Sequence, residues 1–271
     1  MMKKTRIILL LFLVMAASVH AVRAEEHVVK RGETALQIAL DHGLTMDQLS
    51  QLNPGVDLEM MLVGDKLIVP EEGTSFADFL SRRYEELIRI RDPYCEVLAD
   101  QSALCFFHAE NLSDLPLFGV QLKTTVRSLN GSRGEAVSGI ALMQILPGES
   151  LPVYTSVPGS FSEITDVSVS AVDLSYSELM TGSFRIPSES YHQSLTILPD
   201  GAAASAAIEF TDEAIRAYSD RQINILAAAY DSEGKLCGIR SLYSSFYPRL
   251  DITVYSAYRG IKTVELIPEA Y

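Results

Sequence analysis

The residues able to do chemistry are few, and their spacing does not favour it. Histidine stands at positions 20, 27, 42, 108 and 192, and no two have the HxxxH spacing that sets two imidazoles on one helical face around zinc. Cysteine stands at 95, 105 and 237, with no CxxC. Cys105 and His108, in CFFHAEN, come nearest to a thiol with its base. Residues three apart on a strand point to opposite faces, so a direct pair is not expected there. No GxSxG, phosphate-cradling loop or GxGxxG is present. Glu110, Asp114, Glu163 and Asp166 lie near turns, where solvated carboxylates are ordinary, whereas a glycosidase needs two carboxylates facing across a groove. Neither a metal nor a cofactor is expected, and the pattern points away from an enzyme.

The three cysteines have a second use. Cys95 and Cys105 are close enough in sequence to link adjacent strands, which would leave Cys237 odd. Pairing of either with Cys237, or three buried thiols, stays open at this point. A disulfide needs an oxidising compartment, and the N-terminus supplies a route to one. Lys3, Lys4 and Arg6 form a basic segment, residues 7–17 are an uninterrupted apolar run, and Ala21 and Ala24 offer cleavage points. That run is shorter than the ~20 residues a helix needs to span a bilayer. Residues 1–24 therefore read as a cleavable signal peptide of bacterial style, and the protein is expected to be exported, extracellular or associated with the cell envelope. Removing Lys3, Lys4, Arg6 and Arg23 takes the formal charge from −13 to −17. A body that acidic repels nucleic acid and anionic membrane surfaces, so no nucleic-acid partner and no membrane contact beyond the signal are expected.

The elements that follow are most sharply written in residues 27–70. HVVK reads as a short strand and Arg31-Gly32-Glu33 as a tight turn. Thr34 with Gln37, and Thr45 with Gln48, each have the spacing of a capping box at a helix start. Gly43 ends the first helix, Asn53-Pro54-Gly55 stops the second, and Lys66–Val69 forms a closing strand. The expectation is a small βααβ unit.

The strings VKRGETALQIALDHGLT, LSQLNPGV and LVGDKLIVP stand in order along it, and end to end the unit resembles a LysM domain. The resemblance implies binding of N-acetylglucosamine-containing glycan, peptidoglycan or a related polymer, without catalysis. It also implies a shallow groove between two loops. The carried-over positions are Arg31, Gly32, Glu33 and Thr34 on one side and Asn53, Pro54, Gly55, Val56, Asp57 and Leu58 on the other. Glu33 stands where the family usually has Asp, Ala35 replaces a larger aliphatic, and the loop through Met60 and Met61 is more apolar than is typical.

Downstream, 72–92 reads as a linker and an amphipathic helix, with Phe76, Phe79, Leu80, Tyr84, Leu87, Ile88 and Ile90 at mostly three- and four-residue steps. From 93 the periodicity becomes strand-like over 103–110, 118–129, 135–146 and 166–175, with Asn130-Gly131, Pro147-Gly148 and Pro158-Gly159 as turns. Residues 120–154 line up with 223–255: a long strand, a turn ending in Gly134 or Gly234, a returning strand and a Pro-containing turn. Two tandem antiparallel β-sandwich domains are expected, 93–175 and 176–271, after the 25–71 unit. The strand ending in Tyr230-Asp231 is similar to small extracellular FxLYD domains, which implies an interaction module.

The fold class expected is therefore α+β: a βααβ unit, a linker helix and two all-β domains. The function expected is a non-enzymatic envelope protein holding wall glycan, with another envelope protein or a glycan as the partner of the β domains. The rival is a wall hydrolase whose catalytic domain lies within 93–271.

Overall fold

The computed structural model describes residues 25–176, 184–258 and 260–271; the signal-peptide segment lies outside them. The chain is mostly β, in several antiparallel sheets.

The N-terminal unit is β1 (Glu25–Val28), α1 (Ala35–Asp41), α2 (Met46–Leu52) and β2 (Lys66–Val69). β1 and β2 pair antiparallel with His27 opposite Leu67. Thr34 caps α1 by accepting from the Gln37 amide, but the Gln37 side chain donates to Asp41 at 2.7 Å instead of reaching back, so this capping box is only half made. Thr45 and Gln48 form the complete box on α2. At the end of α1 the Leu44 amide donates to Ala39 O at 2.8 Å and Gly43 to Leu40 O at 3.1 Å. This Schellman pairing needs the left-handed φ of +68° that Gly43 adopts. Ile38, Ala39, Leu44, Leu49, Leu52, Leu67 and Val69 fill the small core.

A third helix, α3 (Phe76–Leu87), is capped by Ser75 and contributes to two cores at once. Phe79 is buried in the N-terminal core and Tyr84 in the next one. The helix is shorter than its sequence pattern suggests. Ile88 and Ile90 belong to a strand, β3 (Ile88–Val97), which starts with no intervening residue.

The first β region comprises β3, β4 (Ala103–Asn111), β5 (Leu117–Ser128), β6 (Arg133–Gly139), β7 (Gln144–Ile145), β8 (Ser150–Val157) and β9 (Ile164–Tyr176). One sheet runs β3-β4-β8; in the other, β5 pairs with β6, β7 and β9. Phe107, Leu117, Leu122, Ile145, Leu151 and Leu174 fill the space between them. The second region has β10 (Phe184–Arg185), β11 (Tyr191–Ile197), β12 (Ala203–Phe210), α4 (Asp212–Tyr218), β13 (Gln222–Tyr230), β14 (Leu236–Ser245), β15 (Arg249–Tyr255) and β16 (Thr263–Ala270). Its sheets are β11-β12-β15 and β10-β16-β13-β14. Apart from the two-residue strands β7 and β10, the pairing scheme is the same in both: β3-β4-β8 corresponds to β11-β12-β15, and β5 lies between β6 and β9 as β13 lies between β14 and β16.

The two regions pack against each other through β13, whose run INILAAA is buried along its whole length. Ile223, Ile225, Ala227 and Ala229 enter its own core, while Leu226 joins the core of the first region and Ala228 packs near Phe106. A strand buried on both faces reads as a continuous apolar run because neither face meets water. Polar anchors fix the seam. The Arg185 guanidinium pairs with Glu149 at 2.7 Å and with fully buried Glu269 at 3.1 Å. Glu269 also accepts from the Met143 amide at 2.8 Å, and Asn224 donates to Ala141 O at 2.7 Å.

Candidate functional site

The ten positions carried over from the LysM resemblance separate into two kinds. Arg31, Gly32, Thr34, Pro54, Gly55 and Asp57 are exposed. Gly32 and Gly55 sit at φ +89° and +92°, with nothing within 4 Å of where a Cβ would stand. These two turns present bare backbone, which is what recognition of an acetamido group by peptide N–H and C=O requires.

The remaining positions are tied into the unit itself. Glu33 turns back: its Oε2 accepts from the Lys30 amide at 2.7 Å and meets His27 Nε2 at 2.9 Å. The Lys30 amide, and then His27, hold this carboxyl below its ordinary range. Asn53 is buried. Its Oδ1 accepts from the Ile68 amide at 2.7 Å, and its Nδ2 donates to Leu49 O at 2.9 Å and Ile68 O at 3.0 Å. Asn53 thus ties the end of α2 to β2, and its amide points inward rather than toward a ligand. Val56 and Leu58 are half-buried against the N-terminal core. Of the exposed positions, Thr34 spends its hydroxyl on the Gln37 amide, and Asp57 caps the Glu59 amide at 3.0 Å.

The apolar loop noted at Met60 and Met61 extends further than the sequence reading took it. Met60, Leu62 and Val63 are 74%, 70% and 68% exposed. Gly64 donates to Val29 O and Val29 donates to Asp65 O, both at 2.8 Å, so this apolar turn runs beside the strand that leads into Arg31. The signal was available: MMLV is an apolar run of four residues outside any helix or strand pattern. An apolar turn at the rim of exposed backbone supplies a surface for acetamido methyls and sugar ring faces.

Outside this unit, Cys95 and Cys105 form a disulfide across β3 and β4, directly opposite in register. The Cys105 sulfur is therefore unavailable as a nucleophile. Cys237 is buried in the second β core. The described residues contain no group of three or more His, Cys, Asp or Glu able to hold a metal ion. No helix among them is long and apolar enough to cross a membrane. Asn111, which begins a glycosylation-type triplet, is fully buried and bonded to Leu115 O and Ile145 O.

Comparison with known proteins gives a match of residues 27–70 to the LysM domain family. No curated protein matches the chain. Among solved structures, the crystal structure of a BuGH86 variant in complex with neoagarooctaose is 9% identical over 81% of this chain and 40% of that one, with a TM-score of 0.21. So low a score establishes no common fold. Residues 27–70 thus match the LysM domain family, which supports binding of N-acetylglucosamine-containing glycan.

Proposed function

We propose that this is an exported, non-catalytic envelope protein that holds peptidoglycan, or a related N-acetylglucosamine polymer, through its single LysM domain. The two β regions act as sandwich-like interaction domains for another envelope protein. The observation that carries the reading is the LysM match over 27–70, joined to exposed backbone at Gly32 and Gly55 beside the apolar turn 60–63. Export is supported by the basic and apolar segments of residues 1–24 and by the small residues at Ala21 and Ala24.

The test is retention on insoluble peptidoglycan by the chain and by Arg31→Trp. Arg31 is exposed and not in the left-handed region, so a bulky ring there covers the loop without straining it. At Gly32 the φ of +89° would strain any side chain and confuse blocking with unfolding. Loss of most retention in Arg31→Trp is expected, and undiminished retention overturns the assignment of the groove. A lysis band for the chain on peptidoglycan zymograms would overturn the non-catalytic part and favour the hydrolase.

A further inference from the structure

A cleft of about 620 Å³ opens at the seam of the two β regions, between the β3 edge and the β13–β14 turn. Its size falls within the ~300–1,000 Å³ of small-ligand sites, and seams between folded units are where such sites concentrate. Asp92, Tyr94, Glu96 and His108 line one wall, and Glu233 and Lys235 the other.

The backbone is shaped for this opening. The β3–β4 register jumps from Arg91 opposite His108 to Tyr94 opposite Phe106, so Asp92 and Pro93 bulge out against Phe107 alone. Asp92 sits at φ +50°, a left-handed conformation costing a non-glycine residue about 1 kcal/mol. Bulges of this kind re-aim side chains at sheet edges, and this one directs Asp92 and Pro93 to the cleft. The adjacent Cys95–Cys105 disulfide pins β3 to β4 just past the bulge.

The polar groups converge with one bias. The His108 ring stacks on Tyr230 at 6.1 Å and 9°, and its Nε2 lies 3.3 Å from the Tyr230 hydroxyl. That hydroxyl donates to Glu265 at 3.1 Å, so it accepts from Nε2–H and leaves Nδ1 as an acceptor. Burial pushes His108 below its ordinary value, although Asp92 and Glu265 oppose the shift and Arg91 adds to it. The ring is therefore neutral at pH 7. Burial and the Tyr258 hydroxyl keep the Tyr94 phenol protonated. Lys235, the one cation among the described residues lining the cleft, lies 3.4 Å from Glu233. The cleft is thus rich in acceptors, negatively charged, and lined in part by the Tyr94 and His108 rings. Such a site repels anions and suits a ligand with many hydroxyl or amide donors and an apolar ring face.

We propose that this cleft is a second carbohydrate subsite, taking an uncharged N-acetylhexosamine unit. The choice of sugar rests on the LysM reading; the preference for a neutral, donor-rich ligand rests on the cleft alone. Two weak sites on one rigid chain would raise retention on a polymer beyond either alone.

The experiment titrates the isotope-labelled chain with an N-acetylglucosamine tetramer and, separately, a uronic-acid tetramer, following backbone amides by NMR. With the first sugar, amides of Tyr94–Glu96 and Glu233–Lys235 are expected to shift as a set independent of residues 31–34 and 54–57. Asp92→Asn with Glu96→Gln should raise the cleft midpoint about tenfold and leave the LysM midpoint unchanged. Asparagine tolerates the left-handed backbone at 92, and Glu233→Gln tests the opposite wall independently. Arg31→Trp should do the reverse. The uronic-acid tetramer should leave the cleft amides unmoved. Absence of cleft shifts at saturating neutral sugar, their loss in Arg31→Trp, or equal binding of the acid overturns the proposal. Cleft shifts without LysM shifts would sink the LysM reading and leave this one standing.

Discussion

Asn53 lies in a loop that the LysM resemblance assigns to sugar binding, yet all three hydrogen bonds of its side chain go to the backbone of Leu49 and Ile68. Its replacement by alanine would strand those buried groups. Asn53→Ala is expected to cost about 2–3 kcal/mol, counted as one satisfied acceptor and two satisfied donors lost inside a small core. Faster exchange of the Ile68 amide would report it, with residues 88–271 unchanged. Glu33 makes a complementary case on the surface. Its carboxyl is held low by the Lys30 amide and by His27, so its contribution is present above the ordinary carboxylate value and lost as pH falls through the lowered one. Acidification should therefore loosen the 30–33 turn, and Glu33→Gln should remove that pH dependence of the Lys30 amide signal. A sequence shows which residue types stand in a loop, not which of them the turn uses for itself. Gly32 and Gly55 could be read in advance because only glycine adopts their φ without strain. The inward turn of Asn53 could not, because its partner Ile68 is 15 residues away on another element.

At the scale of elements, the boundary between α3 and β3 shows where local pattern stops deciding. Ile88 and Ile90 suit a helix that continues the stripe of Tyr84 and Leu87, and equally a strand. The pairing of Ile88 with Asn111 and of Ile90 with Ala109 settles it, and those partners lie more than 18 residues downstream. The hairpin turns at Asn130-Gly131 and Gly234 were easier to read, since Gly131 and Gly234 take the left-handed conformation such turns require, whereas Gly134, aligned with Gly234 in sequence, lies in β6 opposite Val126. The disulfide belongs to the same scale. Cys95 and Cys105 close a short loop with a sequence separation of 10, so the chain-entropy model assigns the bridge about 2.5–3 kcal/mol. A thiol count on the denatured, unreduced protein should find one per chain. Three thiols would mean that the bridge does not form in the exported protein. Cys95→Ala with Cys105→Ala should lower the melting temperature and increase exchange at the β3 edge first.

The whole molecule is held by contacts that no single element reveals. Arg185 stands between Glu149 in one β region and Glu269 in the other, and Glu269 is fully buried. Removing the cation would leave that buried carboxylate with the Met143 amide but without its counter-charge, a loss of about 3–5 kcal/mol. Arg185→Met is thus expected to split a shared calorimetric unfolding transition of the two β regions into two. A single transition at an unchanged temperature would show that apolar packing through Leu226 holds the seam unaided. The strongest indication of this seam in the sequence is the apolar run of β13, which alternation-based reading takes for one ordinary buried strand.

The helix α3 adds a further consequence. It buries Phe79 in the LysM core and Tyr84 in the next, Gln51 donates to the Tyr84 hydroxyl at 3.5 Å, and the strand begins where the helix ends. The helix is anchored in both cores, and no residue separates it from the strand that follows. A glycan strand seated in the LysM groove would therefore set the heading of everything downstream, as a keyed shaft sets the heading of a gear. Molecules bound along one strand would all face the same way, and polarised fluorescence from a rigid label on β13 over aligned glycan would be anisotropic.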